Sequence, residues 1–174
     1  MKKDYWILKS FIIAFFIALL FNIISNVLIS EFDYLIILII ITIIFIGLNI
    51  FFDAVGTSVL TADEATFHAM SSKKIKGAKT GVYLIKNSDR ISSIFCDILG
   101  DICGIISGGV VTMIAILIAE KYNISSLVTI LFISSIVSSI TVGGKAIGKK
   151  LALKSGDKIV YNLAKFLDKF KKSN

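Results

Sequence analysis

At 174 residues the chain has the length of one ordinary domain, yet 56% of it is hydrophobic and only 18% is charged, with a mean hydropathy of +0.87, which excludes a water-soluble globule. Two cysteines exclude a secreted disulfide scaffold, and a single histidine leaves little for histidine-centred enzyme chemistry. The net charge of +7 has to be placed relative to the membrane spans before nucleic acid is invoked.

A helix crossing the hydrocarbon needs about 20 apolar residues, and four segments have them: 5–30, 34–60, 92–119 and 125–147. None alternates with the period of two of a membrane barrel strand. The expected fold is all-α, a polytopic membrane protein with four transmembrane helices plus cytoplasmic amphipathic helices. The first span follows Met1, Lys2 and Lys3 like a signal peptide, but its apolar run is too long and lacks a small-residue cleavage site. Residues 1–33 are therefore an extra, retained N-terminal helix, 34–153 a three-span domain, and 154–174 a tail. Proline is absent, so any bend has to come from Gly, Ser/Thr or a π-bulge.

Positive charge sets the orientation. Lys2 and Lys3 precede the first span, Lys73, Lys74, Lys76, Lys79, Lys86 and Arg90 lie between the second and third, and Lys145 and later lysines follow the fourth. The other connections carry Glu31 and Asp33, and Glu120 with Lys121. The positive-inside rule then puts both termini and the middle insert in the cytoplasm, at the cell membrane. No nucleic-acid partner is needed to explain the basic charge; anionic lipid accounts for it.

The insert, about 63–90, carries Phe67, Met70, Ile75, Val82 and Leu84 among its lysines and suits a helix lying partly in the headgroup layer. His68 there, beside Asp63 and Glu64, is interfacial and structural. The tail spaces Ile159, Leu163, Phe166, Leu167 and Phe170 as an amphipathic helix.

Carboxylates at bilayer depth demand a partner, a proton, water or a metal, because insertion costs about 2.5–3.5 kcal/mol each. Asp97 and Asp101 stand four apart, on one face of the third span. Asp101 falls about nine residues in, roughly 14 Å deep. Gly100, Gly104 and Gly108 form a small-residue packing stripe beside them. The second span offers Asn49, Asp53, Thr57 and Ser58, and the fourth Ser134, Ser135, Ser138, Ser139 and Thr141. Oxygen donors of this kind suit hard cations such as Mg²⁺ as substrate, not soft metals. Cys96 and Cys103, without a second thiol pair or nearby histidine, are small buried residues. With no nucleophile elbow, P-loop, HExxH or dinucleotide fingerprint in the sequence, no enzyme is expected.

From residue 43 to about 153 the order of parts resembles the membrane domain of the CNNM/CorC family of magnesium transporters and exporters. The resemblance is carried by Lys76-Gly77-Ala78-Lys79, Asn87-Ser88-Asp89-Arg90, Leu99-Gly100-Asp101 and the closing run Gly144-Lys145-Ala146-Ile147-Gly148-Lys149-Lys150-Leu151-Ala152. The family's Ile-Gly-Asn and Gly-Glu-x-x-Pro-Lys-x-x-Ala motifs match in spacing. Its Asn becomes Asp101, its Glu becomes Lys145 and its Pro becomes Gly148. The resemblance implies a dimer, and a dehydrated Mg²⁺ held by the Asn and Glu with a serine-bearing span. It also implies paired nucleotide-binding CBS modules, which this sequence lacks. A protonated lysine has no lone pair for a metal. Lys145 is then either an ammonium paired with Asp101 or Asp97, or a snorkelling residue that leaves a changed cation site.

The expected site residues are Asp97, Asp101, Asp53, Asn49 and Ser58 as oxygen donors, with Lys145 as counter-ion or substitute ligand. Three functions remain open: divalent cation transport or homeostasis; a transport-dead accessory protein, bound to another membrane protein, in which an Asp–Lys pair replaces the ion; and a proton- or sodium-coupled carrier.

Overall fold

The computed structural model describes residues 9–20, 23 and 35–171. Among them there is no strand, and short turns join a succession of helices. These are α1 (Lys9–Leu20), α2 (Leu35–Thr61), α3 (Glu64–Ser72), α4 (Ala78–Lys86), α5 (Ser88–Ser92), a π-helical stretch (Ser93–Gly100), α6 (Asp101–Tyr122) and α7 (Ser126–Lys171). Three helices are long and apolar enough to cross a membrane: α2, the continuous Ser88–Tyr122 and Ser126–Lys169. The protein is thus a multi-pass, all-helical membrane protein. Half of the expected first span, 5–30, lies outside the described residues, and α1, within the described half, is an apolar helix.

The described helices begin and end where local chemistry dictates. Asp63 caps α3 by accepting from the backbone N–H groups of Ala65 and Thr66. Asn123 takes the left-handed conformation that ends α6, and Ile124 N–H bonds back to the Ala119 carbonyl. Without proline, α7 bends at Ser155, whose φ of −134° and ψ of 25° leave the helical region. The other irregularity is the π-helical run, eight residues long, where the ladder shifts to i→i+5 bonding.

The chain divides into two compact units, 1–50 with 98–143 and 51–97 with 144–174. In the first, α6 buries Ile102, Ile106, Val110, Ile114 and Ala119, recurring every four or five residues along one side. In the second, the insert and the tail build a core together. Phe67, Leu84, Val59, Val160 and Ala164 cluster there, with Val82, Ile91 and Leu163 against them. The insert therefore does more than lie in the headgroup layer, because Phe67 is fully buried among protein. The tail's inward face also differs from the sequence expectation: Val160 and Ala164 are buried while Phe166 is exposed.

Two glycines allow the close approaches in this unit. A Cβ on Gly81 would overlap the Phe67 ring, and one on Gly156 would stand 3.0 Å from Thr61 Oγ1 and 3.4 Å from the Ser58 carbonyl. The tail turns onto the end of α2 there, and Asp63 N–H donates to Asp157 Oδ1 at 2.9 Å.

Candidate functional site

On α2, buried positions include Leu38, Thr42, Phe45, Asn49, Asp53, Val55, Ser58 and Val59, returning at helical spacing, while Ile36, Ile40, Ile43 and Ile44 stay exposed to what a bilayer would fill. A lipid-facing helix does not need polar residues on its protein side, so each one requires an account of its bonding. Thr42 and Ser58 satisfy themselves locally: Thr42 Oγ1 donates to the Leu38 carbonyl at 2.9 Å and Ser58 Oγ to the Ala54 carbonyl at 2.7 Å. Asn49 and Asp53 do not. Asn49 Oδ1 and Asp53 Oδ2 are buried atoms with no hydrogen-bond partner.

Within the first unit, Asn49 lies against α6. A Cβ on Gly104 would meet Asn49 Nδ2 at 2.9 Å, so one glycine of the expected stripe serves to admit this amide. Gly108 has open space where a Cβ would go. Beside it, Ser107, Ser134, Ser138 and Thr141, together with Val111, Val137 and Val142, line a cavity of about 200 Å³.

Within the second unit, Asp53 is the centre of charge. Its side chain is 8% exposed, and Lys145 Nζ stands 3.9 Å from Oδ1 and Lys149 Nζ 3.9 Å from Oδ2. These are ion pairs at a separation beyond hydrogen bonding. One turn of α7 supplies both ammoniums, since residues four apart share a helix face. Lys145 is 25% and Lys149 56% exposed along the side chain. The Asp53 carbonyl accepts from Cys96 Sγ at 3.5 Å, which ties α2 to the π-helical stretch. Gly56 makes that approach possible: a Cβ there would overlap Cys96 Sγ and come within 3.2 Å of the Ser92 carbonyl.

Of the expected site residues, the structure buries Asn49, Asp53 and Ser58, and brings Lys145 to Asp53, a pairing that the spacing did not single out. Asp97 and Asp101 do share a face, as expected, but it is the outer one. Both are exposed, together with Ile105 and Gly108, while the apolar side of the same span is buried. Among the described residues no three His, Cys, Asp or Glu side chains gather where they could hold a metal ion. Lys149 is the charged neighbour of Asp53 that the sequence reading passed over. Its signal was the i,i+4 relation to Lys145 at the end of the expected fourth span.

A buried carboxylate flanked by lysines, and an amphipathic insert between α2 and the span from 88 to 122, are the features against which known families can be compared. The model of the cyclin M (CNNM) transmembrane N-terminal domain matches residues 40–172. The chain belongs to the CNNM family. This match takes in α2 from residue 40 on, the insert, the span from 88 to 122 and all of α7, and so reaches further into the tail than the resemblance of 43–153 did. The CNNM domain is associated with divalent cation transport and magnesium homeostasis. No curated protein and no solved structure matches the chain.

Proposed function

We propose that this CNNM protein transports hard divalent cations such as Mg²⁺ across the cytoplasmic membrane, through a carboxylate, Asp53, that Lys145 and Lys149 keep latched. The supporting observation is the pair of 3.9 Å distances from two ammoniums to one buried carboxylate. Magnesium bound directly to an oxygen stands about 2.1 Å away. The same two positive charges at about half the distance attract the carboxylate roughly twice as strongly, and against that gain stands the loss of the ion's own water. Such a latch holds the site while no ion is bound and yields to a divalent cation. Lys149, more than half exposed, has solvent to swing into. In the first unit, taken by itself, Asn49 Oδ1 is likewise a buried oxygen without a donor.

The outer face carrying Asp97, Asp101, Ile105 and Gly108 is proposed to be covered by a second copy, with both termini and the insert in the cytoplasm. An Ile105→Cys variant is expected to cross-link between copies in a membrane; crosslinking no greater than that of the native cysteines would exclude this face.

The second reading is the transport-dead accessory protein, and the same two lysines favour it, because a latch that never opens abolishes transport. Reconstituted vesicles separate the readings. Uptake of Mg²⁺, Mn²⁺ and Co²⁺ is measured for the wild type, Asp53→Asn and Lys145→Ala with Lys149→Ala. Transport predicts flux in the wild type and none in Asp53→Asn. Flux in the double lysine variant alone means a latch that stays shut, and no flux in any folded variant removes transport as the function.

A further inference from the structure

A second cavity lies away from Asp53, between the insert and the tail. It is a groove of about 970 Å³, whose walls include Lys74, Lys76, Lys79, Tyr83, Ile91 and Leu167. The three lysines come from the α3–α4 turn and the first turn of α4, whereas Ile91 begins the helix that becomes a membrane span.

The turn that carries the lysines is held in place. Lys74 and Gly77 both take positive φ, 56° and 86°, and the turn is closed by bonds from Lys74 N–H to the Ser71 carbonyl at 3.0 Å and from Ile75 N–H to the Met70 carbonyl at 3.1 Å. A Cβ on Gly77 would stand 3.1 Å from the Lys165 backbone, so the turn rests directly on the tail. The tail closes the groove with a second tie, Thr80 Oγ1 donating to Asp168 Oδ1 at 2.7 Å. Asp168 is the one carboxylate among the lining residues, and it is engaged by that hydroxyl. Three ammoniums against one carboxylate leave a local charge of about +2.

We propose that this groove is a binding site for an anionic phospholipid, its phosphate among Lys74, Lys76 and Lys79 and its glycerol and upper acyl chains along Tyr83, Ile91 and Leu167. Three observations select a lipid over a free anion. The groove has an apolar wall that inorganic phosphate cannot use. Tyr83, Ile75 and Leu167 stay exposed beside the lysines, an arrangement suited to the boundary of headgroup and hydrocarbon. Ile91 places one end of the groove at the start of a span, where acyl chains begin. The volume is that of a site for a ligand of a few tens of atoms. An anionic lipid there would fasten the insert to the tail, since both supply its walls.

The full chain, purified in neutral detergent and stripped of lipid, provides the test. Thermal unfolding is followed during titration with short-chain phosphatidylglycerol, short-chain phosphatidylcholine and inorganic phosphate. The comparison is between wild type, a groove variant (Lys74→Gln, Lys76→Gln, Lys79→Gln) and a charge-matched control (Lys150→Gln, Lys154→Gln, Lys158→Gln). The expected result is a saturable rise in unfolding temperature with phosphatidylglycerol in the wild type and control, at least about tenfold weaker in the groove variant. Phosphatidylcholine and phosphate give no such rise. The proposal is overturned if phosphate reproduces the effect, if both lipids act alike, if the control loses as much as the groove variant, or if the folded wild type does not respond to lipid, which would leave the groove to a protein partner.

Discussion

Asp53 and Asp63 stand ten residues apart, one inside the last turns of α2 and the other just beyond its end, and they are treated oppositely. Asp63 is exposed, yet its oxygens accept from Thr66 Oγ1 at 2.6 Å and from the backbone N–H groups of Ala65 and Thr66 at 3.1 Å. Those bonds, that of the Thr66 hydroxyl first, hold its carboxyl below the usual carboxylate range. Asp53 is buried, where hydrogen bonds matter most, and one of its oxygens has none. A carboxylate used for structure is saturated by short local bonds. One left under-bonded at depth, with mobile cations beside it, has spare capacity for a ligand.

The largest effects are expected where the Asp63 region meets the tail. Phe67→Ala empties a fully buried site in the shared core and should cost about 3–5 kcal/mol, measured by chemical unfolding of the detergent-solubilised chain. A smaller loss would mean that the insert and tail are less firmly joined than their packing indicates. Gly56→Ala drives a methyl into Cys96 and toward the Ser92 backbone and should destabilise by about 1–3 kcal/mol, whereas Gly108→Ala, with open space at its Cβ, should change stability little in the single chain.

At Asp53 the expected stability effects are smaller and the functional ones larger. Lys145→Ala should cost about 1–2 kcal/mol: the 3–5 kcal/mol of a buried pair is reduced because this lysine is a quarter exposed and the pair long. Lys149→Ala, more than half exposed, should cost under about 1 kcal/mol. Lys149 costing more than Lys145 would reverse the order assigned to the two halves of the latch.

The smallest effect concerns pH at Asp63. A carboxylate whose folded pKa is depressed contributes stability that is present above its unfolded pKa and is lost as pH falls through the folded value. The wild type should therefore lose more unfolding temperature in acid, below the usual carboxylate range, than Asp63→Asn, which keeps a capping oxygen without the charge. Asp63→Ala should be less stable than both at neutral pH.

Much of the fold is legible in the sequence because apolar length alone dictates spans, and the limits of α2 and of the span from 88 to 122 follow from it to within about four residues. The absence of proline also limits the kinds of bend, and the π-helical stretch and the Ser155 kink are two of those kinds. Burial was harder to foresee. Helical spacing places Asp97 and Asp101 on one face but does not say which face the chain covers, and here Ile98, Ile102 and Ile106 take the inside. Phe67 and Leu84 looked interfacial because nothing local reveals that a tail eighty residues later packs on them. Lys149 escaped notice for the opposite reason: among so many lysines at the expected end of a span, its i,i+4 relation to Lys145 does not stand out.

Competition between the lysines and a divalent cation for Asp53 is tested most directly by the Mg²⁺ dependence of thermal unfolding. The wild type, Lys145→Met with Lys149→Met, and Asp53→Asn are compared in one neutral detergent. A ligand that binds only the folded chain stabilises it according to its concentration relative to Kd. The expected result is a saturable rise in the wild type, a half-maximal Mg²⁺ concentration at least about tenfold lower in the double methionine variant, and no saturable rise in Asp53→Asn. The same half-maximal concentration in all three proteins would contradict the latch.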